Sequence, residues 1–350
     1  MKALIKENVP LAPLTTFRIG GPARYFIEAV TENDVAHAIQ LAKEKKLPVF
    51  VLGGGSNVLV ADAGFPGLVI KIGIPGIEFE NDGDKTTVCA GAGEDWDRLV
   101  ALSVERDLGG VECLSGIPGS VGGTPVQNVG AYGQEISEVL VSVRVYDKET
   151  DSIVSLSREA CHFSYRASTF NTLARDRYIV LQVSYALNSH GLPVVRYPDV
   201  MKEFESGAVP LTLANVRAVV RRIRARKAML LVEGDPDCRS AGSFFKNPVL
   251  SGAEFSELQS RTGEDLPRYD AGPASVKTSA AWLIDRAGFS KGYSIGPAGI
   301  STRHTLAIVN KGGATAQDIL RLAGEIRARV YDRFGVSLVP EPVFLGIRLQ

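Results

Sequence analysis

Arg166, Ser243 and Glu341 are the residues of this 350-residue chain whose types and settings could do chemistry. Arg166 lies in SYRASTF at 164–170, a polar and aromatic loop ahead of a strand-forming run. A guanidinium offers a rigid fork of N–H donors that matches a carboxylate, and a structural salt bridge is the other common use of such a fork. Ser243 lies in AGSFFKNP at 241–248, where Gly242 lets a ligand come close to the hydroxyl. His37, His162, His190 and His304 are scattered, so spacing gives no case for a Ser-His-Asp triad. A serine hydroxyl can still give its proton to a basic carbanion formed beside it; alternatively it closes a turn or caps a helix. Glu341 stands between Pro340 and Pro342 in an apolar tail, either paired at a surface or aimed into a site.

Two glycine-rich turns could hold a ligand near such groups. Residues 115–133 read SGIPGSVGGTPVQNVGAYG, with no acidic or basic side chain and with Ile117, Val121, Val126 and Val129 set between the glycines. Backbone N–H groups in such turns can form an anion-binding concavity, and the charge-poor, apolar setting suits a large flat cofactor with a diphosphate tail. A tight irregular connection in a β-rich domain is the plainer alternative. The second turn, GGGSN at 53–57, follows an apolar run but is continued by Val58, Leu59 and Val60 rather than by a helix. It therefore lacks the G-x-G-x-x-G spacing of a Rossmann loop, and no Gly-Lys-Ser/Thr triplet makes a Walker A motif.

These turns and side chains must be positioned by elements that the pattern already suggests. Thr31 with Asp34 opens a helix to about residue 46, and apolar runs at 49–52 and 68–72 read as strands. A helix over about 94–106 precedes the glycine-rich segment, among strand patterns at 86–90, 141–146, 153–156 and 178–187. Residues 212–228 form an amphipathic helix carrying six basic residues between Arg217 and Lys227, most of them expected on a solvated face, with Lys227 as the exception. Further along come a helix at 279–287 closed by Gly288, a strand at 306–310 and a long helix opening at Thr315. The tail at 340–346 reads as a final strand returning to the first block. The alternation makes the chain α+β. Its length exceeds one core, and its zero formal charge gives no case for nucleic acid or an anionic membrane. Four dispersed cysteines, no apolar leader and no long apolar run point to a reduced, cytoplasmic setting with no membrane span. No metal-ligand spacing is present.

Taken together, TFRIGG at 16–21, GGGSN and GIPGSVGGTPVQNVGAYG resemble the flavin-binding region of the UDP-N-acetylenolpyruvoylglucosamine reductase family, and SYRASTF, AGSFFKNP and PEPVFLG resemble its active-site motifs. The matches keep family order from about residue 10 to 347. The resemblance implies a vanillyl-alcohol-oxidase-type (PCMH-type) two-part FAD-binding module with a C-terminal α+β substrate-binding domain. It would be divided as 1–72 with 335–350, 73–222 (FAD-binding region about 17–187), and 223–334. It implies non-covalent FAD, NADPH as co-substrate, and reduction of the enolpyruvyl ether of UDP-N-acetylglucosamine to UDP-N-acetylmuramate, in a monomeric enzyme of peptidoglycan synthesis, cell shape and division. FAD would be held by Gly53, Gly54, Gly55, Ser56, Asn57, Gly116, Ile117, Pro118, Ser120, Gly122, Gly123, Gln127, Asn128, Ala131, Tyr132 and Ile179. Arg166 would bind the enolpyruvyl carboxylate, Ser243 would donate a proton and Glu341 would assist from the opposite side. The segment VRYPD at 195–199 looks like the loop-containing type I of the family, with Tyr197 covering the diphosphate. Tyr165, Lys227, Asn247, Lys291 and His304 would be further substrate contacts. Two rivals are an FAD-dependent oxidase of the same superfamily, which has no evident use for AGSFFKNP, and a nucleotide-sugar binding protein without chemistry, against which the intact trio argues.

Overall fold

The computed structural model describes residues 4–349. The chain divides into two compact units, one of residues 1–9, 23–55 and 66–231, the other of residues 10–22, 56–65 and 232–350.

In the first unit, a four-stranded sheet orders Lys6–Pro10, Pro22–Ala29, Phe65–Ile72 and Val49–Leu52, the last two in parallel register. The helix Glu32–Glu44 connects Pro22–Ala29 to Val49–Leu52. It begins where local chemistry requires: Thr31 and Asp34 close a reciprocal capping box, and Val35, Ala38, Ile39 and Ala42 face inward at helical spacing. A second, antiparallel sheet orders Ser152–Ser157, Leu140–Asp147, Tyr178–Ser189, Lys85–Gly91 and Ile77–Asp82. Its long central strand, Tyr178–Ser189, alternates buried and half-buried side chains through most of its length, as a sheet with one covered face must. The helix Trp96–Glu105, capped by Asp95, supplies Trp96, Leu99 and Val100 to the same core. The basic helix Leu213–Arg226 starts at the Thr212 cap and buries Val216, Val219, Val220 and Ile223.

The second unit gathers three short β-structures and the helices Gly252–Thr262, Ala280–Arg286 and Ala316–Phe334 around a core containing Phe17, Leu59, Phe244, Phe245 and Phe289. The longest helix opens in a Thr315–Asp318 capping box and stops at Gly335, which takes φ of 68°. The tail forms the expected strand, Val343–Leu345, and runs parallel to Val58–Val60, just past the GGGSN turn. The strand expected at 306–310 is shorter, Ile308–Asn310: Ala307 O still accepts the Ser301 N–H in register, but the Ala307 N–H turns to His304 O and Leu306 O accepts the Phe244 N–H. No helix among the described residues is long and apolar enough to cross a membrane, and no cluster of His, Cys, Asp or Glu there could hold a metal ion.

Candidate active site

The first half of the glycine-rich run is fastened to the start of the helix Trp96–Glu105. Trp96 N–H donates to Gly119 O at 3.1 Å, Val121 N–H to Glu94 O at 2.8 Å and Gly122 N–H to Ala92 O at 2.9 Å. The end of the strand Val49–Leu52 then delivers Gly53 and Gly54 against it. A Cβ on Gly54 would stand 2.6 Å from Gly119 Cα, so two backbones touch where no side chain could fit. A Cβ on Gly53 would stand 2.7 Å from Ser120 Oγ, and that buried hydroxyl has no hydrogen-bond partner among the described residues. An orphaned hydroxyl beside bare backbone suits a cofactor bearing polar edges and a diphosphate, so the residues present fit FAD. Ser56 and Asn57, next along the chain, belong to the second unit.

Other residues expected at the flavin have varied settings. Ile117 and Ala131 pack on the core of the first unit, Pro118 and Gln127 are half-buried, and Gly123 is exposed. Ile179 is buried in the sheet opposite Tyr146. The Asn128 side chain is spent on the fold: its Nδ2 donates to Glu135 at 2.8 Å and to Ser164 O at 3.2 Å, while its Oδ1 accepts from Ser137 N–H.

Arg166 is presented by a tight turn in which Ser164 and Ala167 exchange both backbone hydrogen bonds. Arg166 itself takes φ of 54°, a left-handed setting that is uncommon outside glycine. Its Nη2 donates to Gly130 O at 2.8 Å and its guanidinium lies 5.4 Å from the Tyr165 ring. The arginine and the glycine-rich run therefore meet within one unit. Tyr132, Tyr197 and Lys227 also come together: the two rings meet edge-on at 5.3 Å, and Lys227 Nζ lies 6.0 Å from the Tyr197 ring while paired with Asp199 at 3.1 Å.

The basic helix is the solvated face its sequence suggested only at Arg222 and Arg226, which are exposed; Arg217 and Arg221 are half-buried. Arg217 and Arg221 both bond Asp97, whose Oδ1 also takes the Gly116 N–H at 2.6 Å. Arg222 and Arg226 pair with Glu203. Arg224 is buried, donating Nε to Gly116 O at 3.1 Å and Nη2 to Met229 O. A one-sided charge pattern carries no sign that acceptors on other elements will claim these donors.

In the second unit, Ser243 and Glu341 are close in the fold although far apart in sequence. Phe245 and Pro340 form an antiparallel bridge, Glu341 N–H donates to Phe244 O at 2.9 Å, and Lys246 N–H donates to Val339 O at 2.9 Å. Phe244 and Phe245 are fully buried, anchoring the segment, while Ser243 between Gly242 and Phe244 stays half-buried. Among the described residues no protein group bonds the Ser243 hydroxyl, so it neither caps a helix nor closes a turn. Asn57 Nδ2 reaches Glu341 O at 3.3 Å. Asn247 Oδ1 accepts the Ala280 N–H at the start of a helix, Lys291 is exposed, and His304 N–H bonds Ser301 Oγ.

These settings match known proteins along the whole chain. Residues 23–157 match the FAD binding domain, and residues 235–345 match the C-terminal domain of UDP-N-acetylenolpyruvoylglucosamine reductase. The reductase of that name from Streptomyces coelicolor is 49% identical over 98% of this chain and 91% of its own length. The Thermobifida fusca reductase is 47% identical over the full length of both. The chain belongs to the UDP-N-acetylenolpyruvoylglucosamine reductase family. The crystal structure of the Thermus caldophilus reductase, 28% identical, superposes with a TM-score of 0.66 over 99% of each chain. The expected α+β fold, with an FAD-binding domain followed by the family's C-terminal domain, therefore stands, and the chain is a flavin-dependent oxidoreductase. The FAD-domain match contains the GGGSN turn and the glycine-rich run; the C-terminal match contains Ser243 and Glu341.

Proposed function

We propose that this chain reduces the enolpyruvyl group of UDP-N-acetylglucosamine enolpyruvate to UDP-N-acetylmuramate, with NADPH as reductant, as a cytoplasmic monomer in peptidoglycan precursor synthesis. The observation that carries the reading is the unengaged Ser243 hydroxyl on a rigid aromatic anchor, with Glu341 tied to the next residue. FAD, bound without a covalent link, would supply the hydride for the terminal carbon of the double bond, with NADPH as the source of the electrons. Arg166 binds the enolpyruvyl carboxylate and stabilises the negative charge that spreads onto it as the double bond is reduced. A guanidinium fork matches a carboxylate, and the Nη2 bond to Gly130 O holds this one beside the glycine-rich run. Ser243 Oγ gives its proton to the carbon beside the carboxylate, and Glu341 assists from the opposite side.

For the rest of the substrate, Tyr197 would cover the diphosphate. Lys227 would reach phosphate in competition with Asp199, its present partner. Asn247 would use its NH₂ group, since its oxygen serves the Ala280 N–H. Tyr165, Lys291 and His304 complete the proposed contacts, and residues 223–334 form the proposed substrate-binding domain beside FAD-binding parts at 1–72 with 335–350 and at 73–222.

Purified protein should be yellow and, beyond the one equivalent of NADPH that reduces its flavin, should oxidise NADPH continuously only when the enolpyruvyl nucleotide is present. A colourless protein that cannot take up FAD would overturn the reading. Full-rate oxygen consumption without the nucleotide would instead make it an oxidase.

A further inference from the structure

The glycine-rich run ends in a hairpin that also seats the Tyr197 segment. Gly130–Ala131 pairs with Gln134–Glu135, and the turn between has Tyr132 at φ of 50° and Gly133 at φ of 85°. Two successive left-handed residues are what a type I′ hairpin turn requires. The turn presents the Tyr132 ring to Tyr197, and Arg196 Nη1 donates to Gly133 O at 3.3 Å and to Glu138 at 3.1 Å.

Beneath this contact lies a carboxylate with no solvent exposure, Glu112. Its Oε2 accepts the Gly110 N–H at 2.7 Å; its Oε1 accepts Gln134 Nε2 at 2.8 Å and the Val194 N–H at 3.3 Å. Gln134 returns the favour through Oε1, which accepts the Cys113 N–H at 2.8 Å. A buried carboxylate is costly unless its acceptors are engaged, and an engaged one binds neutral donors more strongly than a neutral acceptor would. Here one donor is local, while the other two come from the hairpin and from the stem of the Tyr197 segment. Glu112 is neither a flavin nor a substrate contact in the reading above, and its geometry joins the two elements that carry such contacts.

We propose that Glu112 is a positioning residue: with Gln134 it fixes the Tyr197 segment to the hairpin at 130–135 and so sets where Tyr197 meets substrate. The substrate part of this rests on the proposed function; the fastening itself does not.

Two variants separate reach from charge. Glu112→Asp keeps the charge and can keep the local Gly110 bond but draws back from Gln134 and Val194. Glu112→Gln keeps the reach, and the two donors on one side favour turning its carbonyl oxygen toward them. In the FAD-loaded enzyme, Glu112→Asp should raise KM for the enolpyruvyl nucleotide about tenfold with kcat within about threefold, the scale of a lost hydrogen bond to a charged group. Amide exchange over residues 190–197 should quicken by at least about tenfold, with FAD retention and exchange in the strand Tyr178–Ser189 unchanged. Glu112→Gln keeps the bonds from Gln134 and the Val194 N–H and gives up the local Gly110 bond, where its NH₂ meets the N–H; both readouts report on the retained side and should stay within about threefold of wild type. Wild-type exchange in Glu112→Asp overturns the proposal, as does a Glu112→Gln variant equally impaired, or a loss shared by the strand and by FAD binding. A wild-type protein inert toward the nucleotide refutes the proposed function instead, and the exchange comparison, which needs no substrate, still decides the fastening.

Discussion

A hydroxyl donates a proton usefully only where it is held still and left unspent, and Ser243 meets both conditions. Its neighbours Phe244 and Phe245 are locked in the core, while no protein group among the described residues claims the hydroxyl. Ser243→Ala should therefore leave the reduction of flavin by NADPH within about twofold but slow the substrate-reducing half-reaction by about 10²–10⁴, the usual contribution of a positioned acid. Rapid-mixing measurement of the two half-reactions checks this, and equal losses in both would refute the proton-donor role. The chemistry of this residue was legible in the sequence only as a choice between donor and cap. Its freedom from capping depends on the Phe245–Pro340 bridge, which pairs segments far apart in the chain and leaves no local trace. Glu112 was harder still: one acidic residue ahead of a glycine-rich run announces nothing until Gln134 and Val194 fold onto it.

At the scale of elements, the glycine-rich run is held by charge as well as by backbone. Burial alone would raise the Asp97 carboxyl, but the bonds from Arg217 and the Gly116 N–H, with the charge of Arg221, hold it below the ordinary value. A carboxyl lowered by folding contributes stability above its unfolded value and loses that contribution as pH falls through its folded value. Asp97→Asn should thus cost about 1.5–3 kcal/mol at neutral pH, the range for hydrogen bonds to charged groups, and should flatten the loss of stability toward acid. Urea unfolding of both proteins from neutral to acid pH measures it, and parallel curves would contradict the assignment. Gly54→Ala should weaken FAD binding at least about tenfold, because the new Cβ meets Gly119 backbone rather than a side chain that can turn away. Retention of flavin on gel filtration reads this out. Helices with caps were legible because a cap is local: Thr31 with Asp34 and Thr315 with Asp318 both act as their spacing suggested. The helix Gly252–Thr262 carries the same signal in Ser251 and Glu254 and could have been found by it. The partners of the basic helix could not, since Asp97 and Glu203 lie on other elements.

At the scale of the whole molecule, the chain's last strand completes a structure begun near its start. Val343–Leu345 lies parallel to Val58–Val60, with Val343 N–H bonded to Asn57 O and Ala61 N–H to Leu345 O. A chain stopped at Pro342 should lose this support beside the GGGSN turn, giving less folded protein and little bound flavin. Undiminished flavin content would show the strand to be dispensable. The family was legible because its motifs are strung in order along the chain, and relatives of nearly equal length agree. The division into two compact units, with residues 10–22 and 56–65 joined to the C-terminal part, was not, because it depends on contacts between segments that the sequence separates. The central claim is that this flavoprotein passes electrons to an enolpyruvyl nucleotide and not to oxygen. The most direct test is to reduce the protein with one equivalent of NADPH without air, then add the nucleotide. The account predicts that the yellow flavin absorbance returns at once, with UDP-N-acetylmuramate formed in equal amount. Flavin that stays bleached until air is admitted would contradict it.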